Sequence, residues 1–133
     1  MFIDTCFYVD LMREHSKGIV GPAKKKFVGL GSLTIRIPLF VLCELYAGAS
    51  MSDNPSLELR KIEMFSENVE TVYPNQSFAF IYGETEALIR KNGFTVSSMD
   101  LLIGVLAKSH GQPLLTKNLK DFEKIPGLVV EKY

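Results

Sequence analysis

The chain has 133 residues, room for one ordinary domain, and its 47% hydrophobic and 23% charged residues are the proportions of a globular protein with a sizeable core rather than of a disordered one. Lys plus Arg and Asp plus Glu both number 15, so nucleic acid is not held here by overall charge, and any such role needs a local basic rim or a bound cation. No apolar stretch approaches the ~18 residues that span a bilayer, and the opening MFIDTCFYVD is acidic rather than a basic leader, so a cytosolic protein with no membrane association is expected.

In chain order, MFID is a short apolar run stopped by an acid, which suits a buried strand leading into a helix from about Cys6 to His15. The segment GIVGPAKKKFVGLGSL predicts a short helix over residues 22–30, with Pro22 near its start and Gly31 ending it. LTIRI alternates and is β-branched, a strand, and Pro38 then suits the first position of a helix running to about Ala49. SDNPSLELRKIEMFSENVE predicts an amphipathic helix with Leu57, Ile62, Phe65 and Val69 inward, followed by the strand VETVY. Residues 75–92 predict a longer helix with Phe78, Ile81, Tyr82, Ala87 and Leu88 on one side and Gly93 as its stop. SSMDLLIGVLAKSHG has serines to cap its start and Lys108, His110 and Gly111 at its end. PLLT is a buried strand, NLKDFEKI a helical turn and LVVEKY the last strand. Short apolar strands alternating with helices predict a single α/β domain over residues 1–133, a three-layer sandwich with a mostly parallel central sheet flanked by helices.

Ligands of such sheets sit beyond the carboxyl ends of the strands. Four separated carboxylates, Asp4, Glu44, Asp100 and Asp121, are placed to converge there. Close like charges repel unless a divalent cation neutralises them, and oxygen ligands without His or Cys point to Mg²⁺, with Mn²⁺ as the alternative. That is the chemistry of a metal-dependent nuclease. Plainer readings stand beside it. Asp100 in a first helical turn complements the dipole, and Asp121 is an ordinary acid in a charged turn. Glu44, inside FVLCELYAGA among apolar and small residues, is hardest to explain without a partner. Cys6 and Cys43 follow neither metal spacing nor a disulfide framework and are expected to be buried free thiols.

The sequence resembles the PIN-domain ribonucleases, in particular the VapC-type toxins of prokaryotic toxin–antitoxin pairs. IDTCFYVDLM is similar to their opening strand and helix, VLCELYAGA to their Glu-bearing helix, and VSSMDLLIGVLAKSHGQPLLTKNLKDFEKIPGLVVE to their C-terminal third. The likeness covers essentially the whole chain. It implies that Asp4, Glu44 and Asp100 are metal ligands. It also implies that Asn118 and Asp121 form the more variable fourth element, one binding directly and the other through water, with Thr116 as the adjacent hydroxyl. The implied activity is Mg²⁺-dependent cleavage of RNA, with Asp4, Glu44, Asp100 and Asp121 as the catalytic acids, a cognate antitoxin protein as inhibitor, and a homodimer. Lys108, Lys117 and Lys120 are candidates for the substrate rim.

Two positions depart from the family pattern. Cys6 stands where Asn or Ser usually follows the "DT", and Val41 where Thr or Ser is common near Glu44. They are the support for a rival reading, a degenerate PIN domain that binds RNA or protein without turnover. A phosphoacceptor signalling domain is the other rival. It needs an adjacent pair of acids after the first strand, and FIDTCF has one.

Overall fold

The computed structural model describes residues 1–133. Five strands, β1 (Phe2–Ile3), β2 (Arg36–Pro38), β3 (Glu70–Val72), β4 (Leu114–Leu115) and β5 (Val130–Glu131), form one sheet of order β3-β2-β1-β4-β5. Every pairing is parallel. Helices α1 (Thr5–Ser16), α2 (Pro22–Gly29), α3 (Leu39–Ser50), α4 (Pro55–Ser66), α5 (Phe78–Lys91), α6 (Ser98–Ser109) and α7 (Leu119–Phe122) flank it. A parallel sheet needs cover on both faces. Accordingly β1 and β4 are fully buried, with Phe2, Ile3, Leu114 and Leu115 at 0% exposure. Phe122 and Ile125 pack against Gly104 of α6, where a Cβ would stand 2.4 Å from Ile125 Cδ1. No helix is long and apolar enough to cross a membrane.

The strand order fixes where a site belongs. From β1 the chain builds outward through β2 and β3, then returns to the other side of β1 for β4 and β5. The reversal falls between β1 and β4, and ligands of open α/β sheets usually bind beyond the carboxyl ends of the strands at such a switch point.

Several details differ from expectation. The second strand begins at Arg36, and Leu33 is 59% exposed in the preceding loop. Pro38 is not the first helical residue: it ends β2, pairs with Val72, and precedes α3 in an extended conformation (φ −59°, ψ 141°). On α5 the buried residues are Phe78, Thr85 and Ile89, while Leu88 is 44% exposed. The 3.6-residue period from Phe78 passes through Thr85, whose hydroxyl accepts from Lys108 Nζ at 3.1 Å and so tolerates burial. On α4 only Ile62 is fully buried and Leu57 is half exposed. The cysteines are not both buried: Cys6 is half-buried and Cys43 exposed.

An acidic crevice at the strand ends

Asp4 follows β1 immediately and is 5% exposed. It caps α1, its Oδ1 accepting from the Cys6 N–H at 3.4 Å. Its Oδ2 accepts from the Thr116 hydroxyl, and from the Cys6 thiol at 3.1 Å. Thr116 follows β4 and is fully buried, and its Oγ1 also accepts from the Asn118 N–H at 2.9 Å. One hydroxyl therefore couples the two strand ends at the crevice. Burial and the Asp4 charge both push the Cys6 thiol above its usual pKa, so it stays protonated and donates. Cys6 thus supplies the hydrogen bond that an Asn or Ser there would make.

Glu44, half-buried in α3, has no buried base beside it. The hydroxyl of Thr5, next to Asp4 in sequence, donates to Glu44 Oε2. The carboxylate faces a groove of about 460 Å³ that also touches Tyr8, Gly48 and Glu58. Val41 is fully buried in the core, so the polar partner comes from α1 instead of from α3.

Asp100 lies in the first turn of α6, whose N-cap Ser97 accepts from the Asp100 N–H at 3.1 Å. Burial raises the pKa of its carboxyl, and the charges of Asp4 and Asp121 raise it further against the Ser97 hydrogen bond. Asp121, in the single turn of α7, is held below its ordinary value by Lys124 Nζ at 2.9 Å and by Asn118.

Asp4 and Asp121 thus both act on Asp100, and Glu44 is tied to the same strand end by the hydrogen bond from Thr5, the neighbour of Asp4. None of Asp4, Glu44 and Asp100 has a Lys, Arg or His within ion-pair distance, whereas Asp121 does. The side chains do not close into a ready-made cage, for no three His, Cys, Asp or Glu groups stand at metal-holding spacing. The fit to a cation is one of chemistry: hard oxygen donors, part-buried, with negative charge that nothing in the chain neutralises.

The expected cationic rim is only partly present. Lys108 belongs elsewhere, bonded to Thr85 near the far end of α6, roughly 12 Å along the helix from Asp100 at 1.5 Å per residue. Lys120 is exposed on α7, and Lys117 pairs with Asp10. Lys124 was not singled out in the sequence, although its place three residues after Asp121 is a helix-pair spacing. It ties Asp121 to the Thr95 carbonyl at 3.2 Å. Thr5, Asp10 and Tyr133 were also missed, and only Thr5 carried a signal, as the hydroxyl beside Asp4.

This combination, a doubly flanked parallel sheet with unpaired carboxylates at its switch point, defines an α/β protein with an acidic site at its strand ends. The sequence matches the PIN domain family over residues 1–128. The chain belongs to the PIN-domain family, among its VapC-type members. It is 32% identical over 100 residues to a ribonuclease VapC2 of Rickettsia felis, covering 75% of each chain. It is 30% identical over 126 residues to a ribonuclease VapC1 of Haemophilus influenzae, covering 95% of this chain and 92% of that one. Its fold superposes on the crystal structure of VapBC2 from Rickettsia felis bound to a DNA fragment from their promoter. The TM-score there is 0.89 at 27% identity, over 99% of this chain and 97% of that one.

Proposed function

We propose that the protein is a divalent-metal-dependent endoribonuclease, the toxin of a toxin–antitoxin pair, hydrolysing RNA phosphodiesters with Mg²⁺ or with Mn²⁺ in its place. The observation that carries this is the set of carboxylates without a cation partner, buried Asp4 and half-buried Glu44 and Asp100, carried by elements that start at the β1/β4 switch point or pack beside it. Asp4, Glu44 and Asp100 would hold the metal, with Asp121 and Asn118 completing its surroundings. When bound, a divalent cation neutralises such carboxylates, polarises a phosphoryl oxygen and acidifies a water. The chain's own groups orient the acids: Thr116 and Cys6 fix Asp4, Thr5 fixes Glu44, and Ser97 anchors the turn that carries Asp100. Among the relatives, those named ribonuclease support RNA as the substrate. The VapBC assembly supports a cognate antitoxin, with the groove beside Glu44 and a second of about 350 Å³ between α1 and α4 as its anchoring points. A homodimer is the proposed assembly of the toxin itself.

A second reading, a PIN domain that binds without turnover, is favoured by the absence of any pre-gathered group of three donors. One experiment separates the two. The purified chain is incubated with structured and unstructured RNAs in Mg²⁺, Mn²⁺ or EDTA, beside Asp4→Asn and Asp100→Asn. Cleavage that needs metal and is lost in both variants supports the nuclease. RNA binding without cleavage in either metal supports the binding module.

A further inference from the structure

A chain with no net charge still has to hold a polyanion next to an acidic crevice, and one cluster outside the proposed ligands is built for this. Asp10, on the second turn of α1, accepts from Arg13 Nη1 at 3.1 Å on Oδ1. On Oδ2 it accepts from Lys117 Nζ and from the Tyr133 hydroxyl, the latter at 2.9 Å. Two cations thus surround one carboxylate, leaving a local excess of positive charge. The layering decides what an approaching ion meets: the Arg13 and Lys117 side chains are 60% and 47% exposed, the Asp10 carboxylate only 15%. Tyr133 fixes the arrangement from below, its ring edge-on to Phe7 at 4.9 Å and 5.1 Å from the Lys117 ammonium. The cluster also joins the crevice directly. Lys117 lies between Thr116 and Asn118, and its backbone N–H donates to Cys6 Sγ at 3.4 Å, the same sulfur that donates to Asp4.

We infer that Arg13 and Lys117 form a binding subsite for a backbone phosphate of the RNA strand that flanks the bond presented to the carboxylates. The inference rests on the ribonuclease reading and names the groups that hold its substrate. Arg13 brings a planar donor fork and Lys117 a compact ammonium, and each has donors left after its bond to Asp10. Asp10 and Tyr133 are positioning residues, since they reach the phosphate only through the cations. Lys124, already bound to Asp121 and the Thr95 carbonyl, does not share this role.

The test is the salt dependence of binding to a fluorescein-labelled single-stranded oligoribonucleotide, followed by anisotropy with the full chain in EDTA, where metal-dependent cleavage does not compete. Each phosphate contact on a single strand contributes a slope of about 0.7 to the plot of log affinity against log salt. Arg13→Ala and Lys117→Ala should each flatten the slope by about that amount, and Lys25→Ala, an exposed lysine on α2, should leave it unchanged. Asp10→Asn separates binding from scaffolding: it should lower the melting temperature, yet bind RNA at least as tightly as the parent, because both cations remain and a negative charge is gone. Slopes unchanged in Arg13→Ala and Lys117→Ala, with the parent binding RNA, would overturn the subsite and leave the nuclease reading intact. No RNA binding by the parent at any salt would likewise overturn the subsite, whereas the nuclease reading falls only if no RNA is cut in Mg²⁺ or Mn²⁺.

Discussion

Thr116→Val tests whether one hydroxyl couples the two central strand ends. Valine keeps the shape and removes only the oxygen, at a fully buried position. Two strong bonds and one weaker contact disappear: the donation to the Asp4 carboxylate, the acceptance from the Asn118 N–H at 2.9 Å, and the contact with Cys6 Sγ at 3.5 Å. A hydrogen bond to a charged group is worth about 1.5–3 kcal/mol, and a part-buried amide left without an acceptor adds about 1 kcal/mol. The Cys6 N–H and thiol still reach Asp4, so the charge is not abandoned and the lower half of that range applies. The expected loss is about 2–3 kcal/mol. For a domain of this size that lowers the melting temperature by roughly 6–12 °C. Circular dichroism melts in EDTA measure it, with Thr116→Ser as the control that should recover most of the loss. A double-mutant cycle with Asp4→Asn should assign about 1–2 kcal/mol of it to the pair. A loss below about 0.5 kcal/mol, or additive effects of Thr116→Val and Asp4→Asn, would refute the coupling.

Three further outcomes are expected. Asp100 has a raised pKa in the fold, from burial and from Asp4 and Asp121, so its ionisation opposes folding increasingly as pH rises above its ordinary value of 3.8. In EDTA, Asp100→Asn should therefore melt higher than the parent at pH 7 and lose that advantage below about pH 4, as calorimetry at the two pH values would show, while Mg²⁺ should stabilise the parent more than the variant. At Asp10, burial pushes the pKa up, but hydrogen bonds from Lys117 and Tyr133 overcome it and the pKa is lowered. Its contribution is present above 3.8 and lost as pH falls through the lowered value, so Asp10→Asn should flatten the acid limb of the stability curve measured by urea titration. Gly104→Ala should cost about 1–3 kcal/mol in urea unfolding, because the new methyl meets Ile125 at 2.4 Å, Leu128 at 3.2 Å and Phe122 at 3.3 Å.

Elements whose boundaries are written in local chemistry were legible in the sequence. Asn54 before Pro55, Ser97 three residues before Asp100, and Gly31, Gly93 and Gly111 at positive φ past their helices all mark ends that backbone sterics or unpaired N–H groups dictate. Where a residue has two admissible roles, local chemistry does not choose. Pro38 suits a helix start and a strand end equally, and pairing with β3, made more than thirty residues later, decides for the strand. Thr85 reads as a polar surface residue because its partner, Lys108, is on another helix.

The same distinction divides the site. Asp4, at the end of an apolar strand, and Glu44, within an apolar helix, announce themselves because an acid there conflicts with its surroundings. Thr116, Cys6 and Thr5 do not conflict with anything, yet they set the direction in which those acids point. Asp10 and Tyr133 are more distant still, 123 residues apart and joined only because β5 ends beside α1. Asp4 and Glu44 are thus visible in the sequence as violations of local rules, whereas Asp100, an acid in a first helical turn, is not. The groups that bond to them and the cations gathered around Asp10 obey those rules, so their association emerges only when the parallel sheet brings the ends of β1, β4 and β5 together. Thr116→Val is therefore expected to lower stability and cleavage together, whereas Asp100→Asn is expected to raise the melting temperature in EDTA and still abolish cleavage, a divergence that melts and RNA assays in Mg²⁺ on the same preparations would show.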